Sequence, residues 1–170
     1  SFPDGGYFIM RSDFGGDGRP FEDARQLYVH NGGWVGSHGH WDLLSVALYA
    51  YGRPLLIDPG GMWQAPEGHP DNYWQSRIHS MLVADGLDVT RDPGPTWWMA
   101  GEGADYLDGV HFGYARRGIP EVRRRIIFMR PDYFLVDDAA AAERDVQWDQ
   151  NWNILAPDVR TDAAAGLIET

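Results

Sequence analysis

Cysteine is absent from this chain of 170 residues. Its absence excludes disulfide bonds, a thiol nucleophile, iron–sulfur clusters and cysteine-ligated zinc. Any bound metal must therefore use histidine and carboxylate ligands. Long apolar runs are absent as well. The longest uncharged run when histidine is counted as charged, residues 43–52, is far shorter than the ~20 residues that span a bilayer, so we expect no membrane span.

Positive charge is scarce, since 14 basic side chains face 25 acidic ones and the formal net charge is −11. Nucleic-acid binding begins with neutralisation of phosphates by a basic face, so we expect no nucleic-acid partner. The length suits one domain, residues 1–170, with a core of its own. Because the sequence has neither an initiator Met nor a signal segment before its first apolar run, we expect a piece of a longer protein, or a processed or excised domain.

Short apolar runs rich in β-branched and aromatic residues, separated by Gly, Pro and Asp, predict strands rather than helices. About nine such strands favour an all-β fold, an antiparallel β-sandwich or a barrel. Residues 139–142 and the tryptophans Trp97 and Trp98 are assigned to loops. The predicted strands are residues 7–11, 26–30, 43–50, 54–57, 80–84, 110–115, 122–129, 133–137 and 146–154.

Two closely spaced histidines stand out, because His38 and His40 would point to the same face of a strand. A hairpin partner ending at Asp58 would bring a carboxylate beside them, and His79 precedes another apolar run. Two imidazoles and a carboxylate suit zinc, and equally iron or manganese. The alternative is that these histidines are structural and that Asp58 begins a turn.

The other polar and aromatic features carry weaker signals. His30 and His111 lie in predicted strands and are interpreted as structural, and His69 as a loop residue. Eight Trp and eight Tyr would suit stacking against sugar rings, although a sandwich core also needs aromatic side chains. Residues 123–125 are three consecutive arginines in a strand pattern, so their side chains should alternate between faces and form ion pairs.

An ordered set of motifs resembles the heparinase II/III-like family of polysaccharide lyases, which includes alginate and heparan-type lyases. The set covers nearly the whole chain, and its order and spacing are far more specific than a bare His-x-His pair. The matching segments are residues 6–11, 36–45, 51–60, 77–86 and 124–138.

The resemblance implies a β-sandwich that follows an N-terminal α/α toroid, with the catalytic cleft between them. It implies that His40, Asp58 and His79 bind a metal, usually zinc, and that His38 faces the cleft as a catalytic residue or as a contact to the substrate carboxylate. The implied reaction is β-elimination at a uronic acid in an acidic polysaccharide such as alginate or heparan-type chains. Arg77 and Tyr73 are candidate substrate-binding residues. A periplasmic or secreted bacterial protein is then expected.

Departures from the family pattern, and the spacing of other residues, keep two further hypotheses open beside the lyase. Ser80 stands where the family commonly has Asn, and the toroid that supplies the base is absent from these residues, so the chain alone is expected to be inactive. A cupin barrel fits the spacing of Gly32, His38, His40 and Gly52 but lacks its glutamate. The third hypothesis is a non-catalytic carbohydrate-binding or structural sandwich.

Overall fold

The computed structural model describes residues 1–15, 20–33, 36, 39–58, 60 and 73–169, and this part of the chain is built from β-strands. Helical structure there is limited to short 3-10 turns at Pro3–Gly5, Phe21–Asp23, Ser76–Ile78 and Ala115–Arg117. The strands are β1 Tyr7–Arg11, β2 Gln26–His30, β3 Ser45–Ala50, β4 Arg53–Leu56, β5 Leu82–Ala84, β6 Pro93–Ala100, β7 Ala104–His111, β8 Glu121–Met129, β9 Tyr133–Ala141, β10 Trp148–Gln150, β11 Arg160–Asp162 and β12 Leu167–Glu169.

Two four-stranded antiparallel sheets form the body of the domain. The first sheet has the order β1-β2-β3-β4 and the second the order β6-β7-β8-β9, so each is a simple meander. Strands β5 and β10 form a separate pair, and β11 and β12 form a small hairpin. Among the described residues no helix combines the length and apolar character needed to cross a bilayer.

The sheets share one hydrophobic core because alternate residues of their strands are buried. In β8 the burial alternates along the whole strand, which places every second side chain on the inner face. The main core cluster joins β1, β2 and β3 of the first sheet to β7 and β8 of the second, and consists of Phe8, Met10, Leu27, Val29, Val46, Leu107, Ile126 and Phe128. This arrangement confirms the predicted antiparallel β-sandwich.

A second core cluster packs β5 against the segments that flank β8. It contains Leu43, Met81, Val83, Ala84, Val89, Tyr114, Ile119 and Val122. Asn31 ties the two sheets together at one end, since its side-chain amide donates to Thr96 Oγ1 and to the Val110 carbonyl, both at 2.9 Å. Asn31 therefore joins the end of β2 in the first sheet to β6 and β7 in the second.

Several predicted strands are confirmed, and their turns explain why. Strands β1 and β2 have the predicted bounds. Strands β3 and β4 are joined by the two-residue turn of Tyr51 and Gly52, both with positive φ. Two central residues with positive φ define the turn type that matches the twist of a hairpin.

Four predictions about secondary structure are wrong. Pro93–Ala100 is a strand and contains Trp97 and Trp98. It lies at the edge of its sheet, where proline and glycine are tolerated. The predicted strand 110–115 is instead the end of Ala104–His111, which extends back because it pairs with β8 from Ala104 onward. The predicted loop 139–142 is largely the end of β9. Of residues 146–154, only Trp148–Gln150 pair as a strand.

Candidate metal centre

Four side chains converge at one end of the first sheet. Ligand atoms of His40, Asp42, Asp58 and His79 all lie within 4.8 Å of one another. His40 and Asp42 precede β3, Asp58 follows β4, and His79 ends a 3-10 turn before β5. The cluster therefore unites three segments that are far apart in sequence.

The antiparallel pairing of β3 with β4 explains half of this convergence. In a hairpin the start of one strand lies beside the end of the next, so the residues before Ser45 meet those after Leu56. Backbone and side-chain bonds bring the third segment to them. The Val46 amide donates to the Ser80 carbonyl at 3.2 Å, and Ser76 Oγ donates to the Trp41 carbonyl at 2.6 Å.

His79 is the most buried member of the cluster, with 1% of its surface exposed. Its Nδ1 lies 3.1 Å from Asp58 Oδ2, and its Nε2 is buried without a hydrogen-bond partner in the described part of the chain. The ring of His40 lies beside it, with 5.1 Å between the ring centroids. One imidazole nitrogen of His79 is thus oriented by a carboxylate while the other is left for a ligand.

Asp42 is held by a second histidine. Its Oδ2 lies 3.0 Å from Nδ1 of His30, and its Oδ1 is buried with no hydrogen bond among the residues described. Burial raises the pKa of Asp42, but the hydrogen bond with His30 and the charges of His30 and His79 outweigh burial, so the pKa is lowered overall. Asp42 is therefore ionised at neutral pH.

Asp58 is ionised for a similar reason. Burial raises its pKa, whereas the hydrogen bond with His79 and the backbone N–H of Gly60, 3.0 Å from Oδ1, bring the pKa below its usual range. Burial, followed by the neighbouring His79, lowers the pKa of His40, so this imidazole is neutral at pH 7. The cluster thus concentrates two negative charges, which a divalent cation would balance.

The residues present fit a zinc ion. Zinc accepts imidazole nitrogen and carboxylate oxygen, and ligand distances of about 2.0–2.2 Å place tetrahedral donors about 3.4 Å apart. The most separated donors, at 4.8 Å, would need to close by about 1.4 Å. Two atoms of the cluster, His79 Nε2 and Asp42 Oδ1, are among the buried side-chain atoms without a hydrogen-bond partner in the described residues, and such an ion would satisfy both.

A buried arginine supports the cluster from the opposite sheet. Arg124 in β8 is 1% exposed, and its guanidinium makes a bidentate ion pair with Asp138 at 2.6 and 2.7 Å. Nη1 also donates to the carbonyls of Leu44 and Ser80, at 2.8 and 2.9 Å. Those carbonyls belong to the segments that carry Asp42 and His79. Arg124 therefore ties both segments to the second sheet.

The three consecutive arginines alternate between faces, as predicted. Arg123 pairs with Asp108 at 3.0 Å and Arg125 with Asp137 at 2.8 Å, both partly exposed, while Arg124 points into the core. The predicted ion pairs are confirmed. His111 is buried, and its Nδ1 accepts a hydrogen bond from the Gly113 amide.

The substrate-binding candidates lie near the cluster in sequence but outside it. Arg77 is exposed within the 3-10 turn before His79, and its Nε donates to Gln75 Oε1 at 3.2 Å. Tyr73 is half-buried at the start of the same segment. The catalytic candidate His38 and the loop residue His69 lie outside the described residues.

Three residues around the cluster escaped sequence reasoning. Asp42 lies two residues after His40, and that spacing was a usable signal. His30 was interpreted as structural only. Arg91 donates from Nη2 to the Gly39 carbonyl at 2.7 Å and lies over the Trp41 ring, 5.7 Å from its centroid. No local pattern marks Arg91, because its contact spans more than fifty residues.

A groove of about 270 Å³ runs along the first sheet and reaches the cluster at Asp58. Its walls include Tyr28 and Tyr49, which are diagonal neighbours on β2 and β3, together with Gln26 and Leu56. Aromatic and polar side chains along an open groove are suited to a sugar ring. The cluster therefore lies at the end of a surface that can accept an extended ligand.

The fold and the cluster together define a β-sandwich domain with a histidine and carboxylate centre at one end of a sheet. Residues 1–168 match the family described as heparinase II/III-like, C-terminal. The chain belongs to this family, which confirms the resemblance seen in its motifs and leaves the cupin hypothesis without support.

Solved structures share the fold. A heparinase III, the BT4657 gene product, has a TM-score of 0.82 at 19% identity, covering 95% of this chain and 25% of its own. Another heparinase III gives 0.72 at 14% identity, with 95% and 25% covered. The heparan sulfate lyase HepC from Pedobacter heparinus gives 0.68 at 23% identity, with 83% and 22% covered.

The chain thus spans about a quarter of the length of the solved structures that it resembles. A comparison with curated proteins gives no match.

Proposed function

We propose that this domain is the sandwich half of a polysaccharide lyase that cleaves uronic-acid-containing chains of the heparan sulfate type. The observation that carries the proposal is the convergence of His40, Asp42, Asp58 and His79 at the end of an open groove, in a chain of the heparinase II/III-like family. The names of its structural relatives, heparinase III and heparan sulfate lyase, favour this substrate class over alginate.

The proposed reaction is β-elimination. The proton at C5 of the uronic acid is removed, the C4–O bond to the next sugar breaks, and a C4–C5 double bond forms as the oxygen leaves with a proton. The carbanion next to the C6 carboxylate must be stabilised by preorganised donors or cations. The base must have a pKa near the working pH. We assign the base to an N-terminal toroid domain and a contact with the substrate to His38.

The metal site is part of this proposal. His40, Asp58 and His79 would hold a zinc ion, or another divalent cation of similar preference. Bound there, the cation would neutralise the two carboxylates and remove the negative potential at the end of the groove. The domain as a whole carries a net charge of −11 and would repel a polyanion, so neutralising these carboxylates would lower the repulsion at this point.

The remaining residues around the groove would position the polymer. Tyr28 and Tyr49 offer aromatic faces, and Arg77 and Tyr73 remain candidates for holding the substrate. Arg91 fixes the backbone at Gly39, between the two histidines of the His-x-His pair. Since polymers of this size are degraded outside the cytoplasm, we propose a periplasmic or secreted protein.

The test uses the full-length protein that contains this domain together with its N-terminal region. Incubation with heparan sulfate, hyaluronan, glucuronan and alginate should increase the ultraviolet absorbance of unsaturated uronate with heparan sulfate in particular. The variants His38→Ala and His79→Gln should lose this activity. His111→Gln, which changes a buried histidine outside the cluster, is the matched control and should retain it.

Absence of unsaturated product on every polymer, with the control folded, would refute the lyase proposal. Retention of polymer without any product would instead support the non-catalytic carbohydrate-binding hypothesis. Product from alginate alone would refute the assignment to heparan-type chains.

A further inference from the structure

We propose that Asp42 is a fourth protein ligand of the metal centre and that His30 is the residue that orients it. The inference rests on the proposed metal site and adds to the ligand set that the family resemblance implies. In this arrangement two imidazoles and two carboxylates would fill all four positions of a tetrahedral site, so no position would remain for water.

One carboxylate oxygen of Asp42 has no hydrogen bond among the described residues. Both oxygens of Asp58 already accept a hydrogen bond, Oδ2 from His79 and Oδ1 from the Gly60 amide. Asp42 Oδ2 is likewise engaged by His30, but Asp42 Oδ1 is buried and has no hydrogen bond in the part of the chain that is described. A buried carboxylate oxygen without a partner is rare in folded proteins, and a bound metal ion would supply the missing partner.

The side chain of His30 is held in a fixed position beside Asp42. This residue is 6% exposed, and its ring stacks on Tyr7 with 4.9 Å between centroids and 22° between planes. Its carbonyl accepts the Leu44 amide at 2.6 Å, and a Cβ at Gly32 would come within 2.7 Å of its Nε2. The imidazole is therefore held tightly where Nδ1 can donate to Asp42.

The backbone forms a tight turn from Asp42 to Ser45. Leu44 has a φ of 60°, in the left-handed region that a leucine rarely adopts. The Asp42 carbonyl accepts the Ser45 amide at 2.9 Å, closing a tight turn around Leu44. Strained residues persist where the surroundings hold them, and they are common at ligand sites. This turn aims the Asp42 side chain back toward His79.

The number and kind of donors also favour Asp42 as a ligand. His40 and His79 supply two imidazole nitrogens, and Asp42 and Asp58 supply two carboxylate oxygens, so the four side chains could fill a tetrahedral site. With Asp42 outside the ligand set, its Oδ1 would remain buried without a partner among the described residues. Structural zinc sites have four protein ligands, whereas catalytic sites keep one position for water. The proposed centre is therefore a structural one that holds together the three segments carrying His40 and Asp42, Asp58, and His79.

The first test measures zinc affinity of the 170-residue chain by competition with a chromogenic chelator. Asp42→Ala should weaken binding by more than about 100-fold. His30→Gln should weaken it by about 10- to 100-fold, the range found when a partner that orients a ligand is removed. His111→Gln is the matched control and should bind as the unaltered chain does. Circular dichroism checks that each variant is folded.

A second test detects ligation directly and uses the lack of cysteine. In the Asp42→Cys variant loaded with Co²⁺, a thiolate-to-metal charge-transfer band should appear in the near ultraviolet. Asp137→Cys, at an exposed position on β9, is the control and should give no such band. The unaltered chain contains no cysteine, so any such band comes from the introduced residue.

The outcomes separate this inference from the proposed metal centre. If the unaltered chain binds neither Zn²⁺ nor Co²⁺, the metal centre itself is refuted. If it binds both, and Asp58→Asn and His79→Gln lose binding while Asp42→Ala and His30→Gln do not, the fourth ligand alone is refuted. A missing charge-transfer band in folded, Co²⁺-loaded Asp42→Cys refutes it as well.

Discussion

Replacement of Arg124 by methionine should destabilise the domain strongly. The guanidinium makes four hydrogen bonds, two to Asp138 and one each to the carbonyls of Leu44 and Ser80. Methionine fills a similar volume but leaves Asp138, whose side chain is 6% exposed, as a buried carboxylate without its arginine. Removing one partner of a buried ion pair costs about 3–5 kcal/mol.

That cost is a large share of the ~5–15 kcal/mol by which domains of this kind are stable. Replacing both partners, in Arg124→Met with Asp138→Leu, should recover part of the loss, because apolar pairs often replace buried ion pairs without net cost, whereas the carbonyls of Leu44 and Ser80 still lack their donor. Arg123→Met is the matched control. Arg123 is 26% exposed and its partner Asp108 is 16% exposed, so both are reached by water and the replacement should cost at most about 1 kcal/mol.

The assay is urea unfolding at pH 7 with a chelator present, so that metal binding does not add to the stability of the folded state. The unfolding midpoint and the m-value are measured for all four chains. A loss below about 1 kcal/mol for Arg124→Met would refute the reasoning. A double variant that is no more stable than Arg124→Met would refute the argument that the unpaired Asp138 carries the cost.

Two further predictions concern pH and backbone conformation. Burial, and then the charge of Arg124, lowers the pKa of His111 to about 3, from 6.5. Between those values the unfolded chain binds the extra proton, so the free energy of unfolding should fall by about 2 kcal/mol from pH 7 to pH 5. His111→Gln should remove this decrease, and an unchanged pH profile would contradict the assignment. Gly6→Ala should destabilise by at least about 2 kcal/mol, because Gly6 has a φ of +72° and a Cβ there would lie 2.3 Å from the Gly32 Cα. Gly103→Ala, with open space around it, is the control in the same thermal or urea unfolding experiment, and equal effects would contradict the argument.

The strands that the sequence predicts best are those with a buried face and a defined turn. Strands β1 and β2 alternate clearly, and Gly52 marks the hairpin between β3 and β4. The edge strand β6 was missed because its residues are mostly exposed and Pro93 and Gly94 are typical of turns. Only pairing with β7, a long-range contact, makes them a strand.

The residues of the site also divide into those that local sequence features predict and those that only the fold brings together. The spacing of His40 and the hairpin that ends near Asp58 are local features, and they predicted two members of the cluster. His79 required the family resemblance, because sequence spacing alone does not place it beside Asp58. Arg124 is eighty residues from Leu44, and its role depends on the packing of one sheet on the other. No local pattern contains that information.

Composition alone does not decide whether this acidic domain binds an acidic polymer, and the family relationship and the cluster explain why. A net charge of −11 excludes a general polyanion-binding surface but permits one local site. The carboxylates Asp42 and Asp58 make that site negative until a cation is present. The proposed metal would therefore remove the repulsion between this site and an acidic polymer.

X-ray absorption at the zinc edge of the zinc-loaded 170-residue chain tests the central claim most directly. The account predicts four nitrogen and oxygen donors at about 2.0–2.2 Å, with the outer-shell scattering of two imidazoles, which would be those of His40 and His79. Zinc that is lost on gel filtration, or that shows a shell of six oxygens without imidazole, would contradict the proposed metal centre.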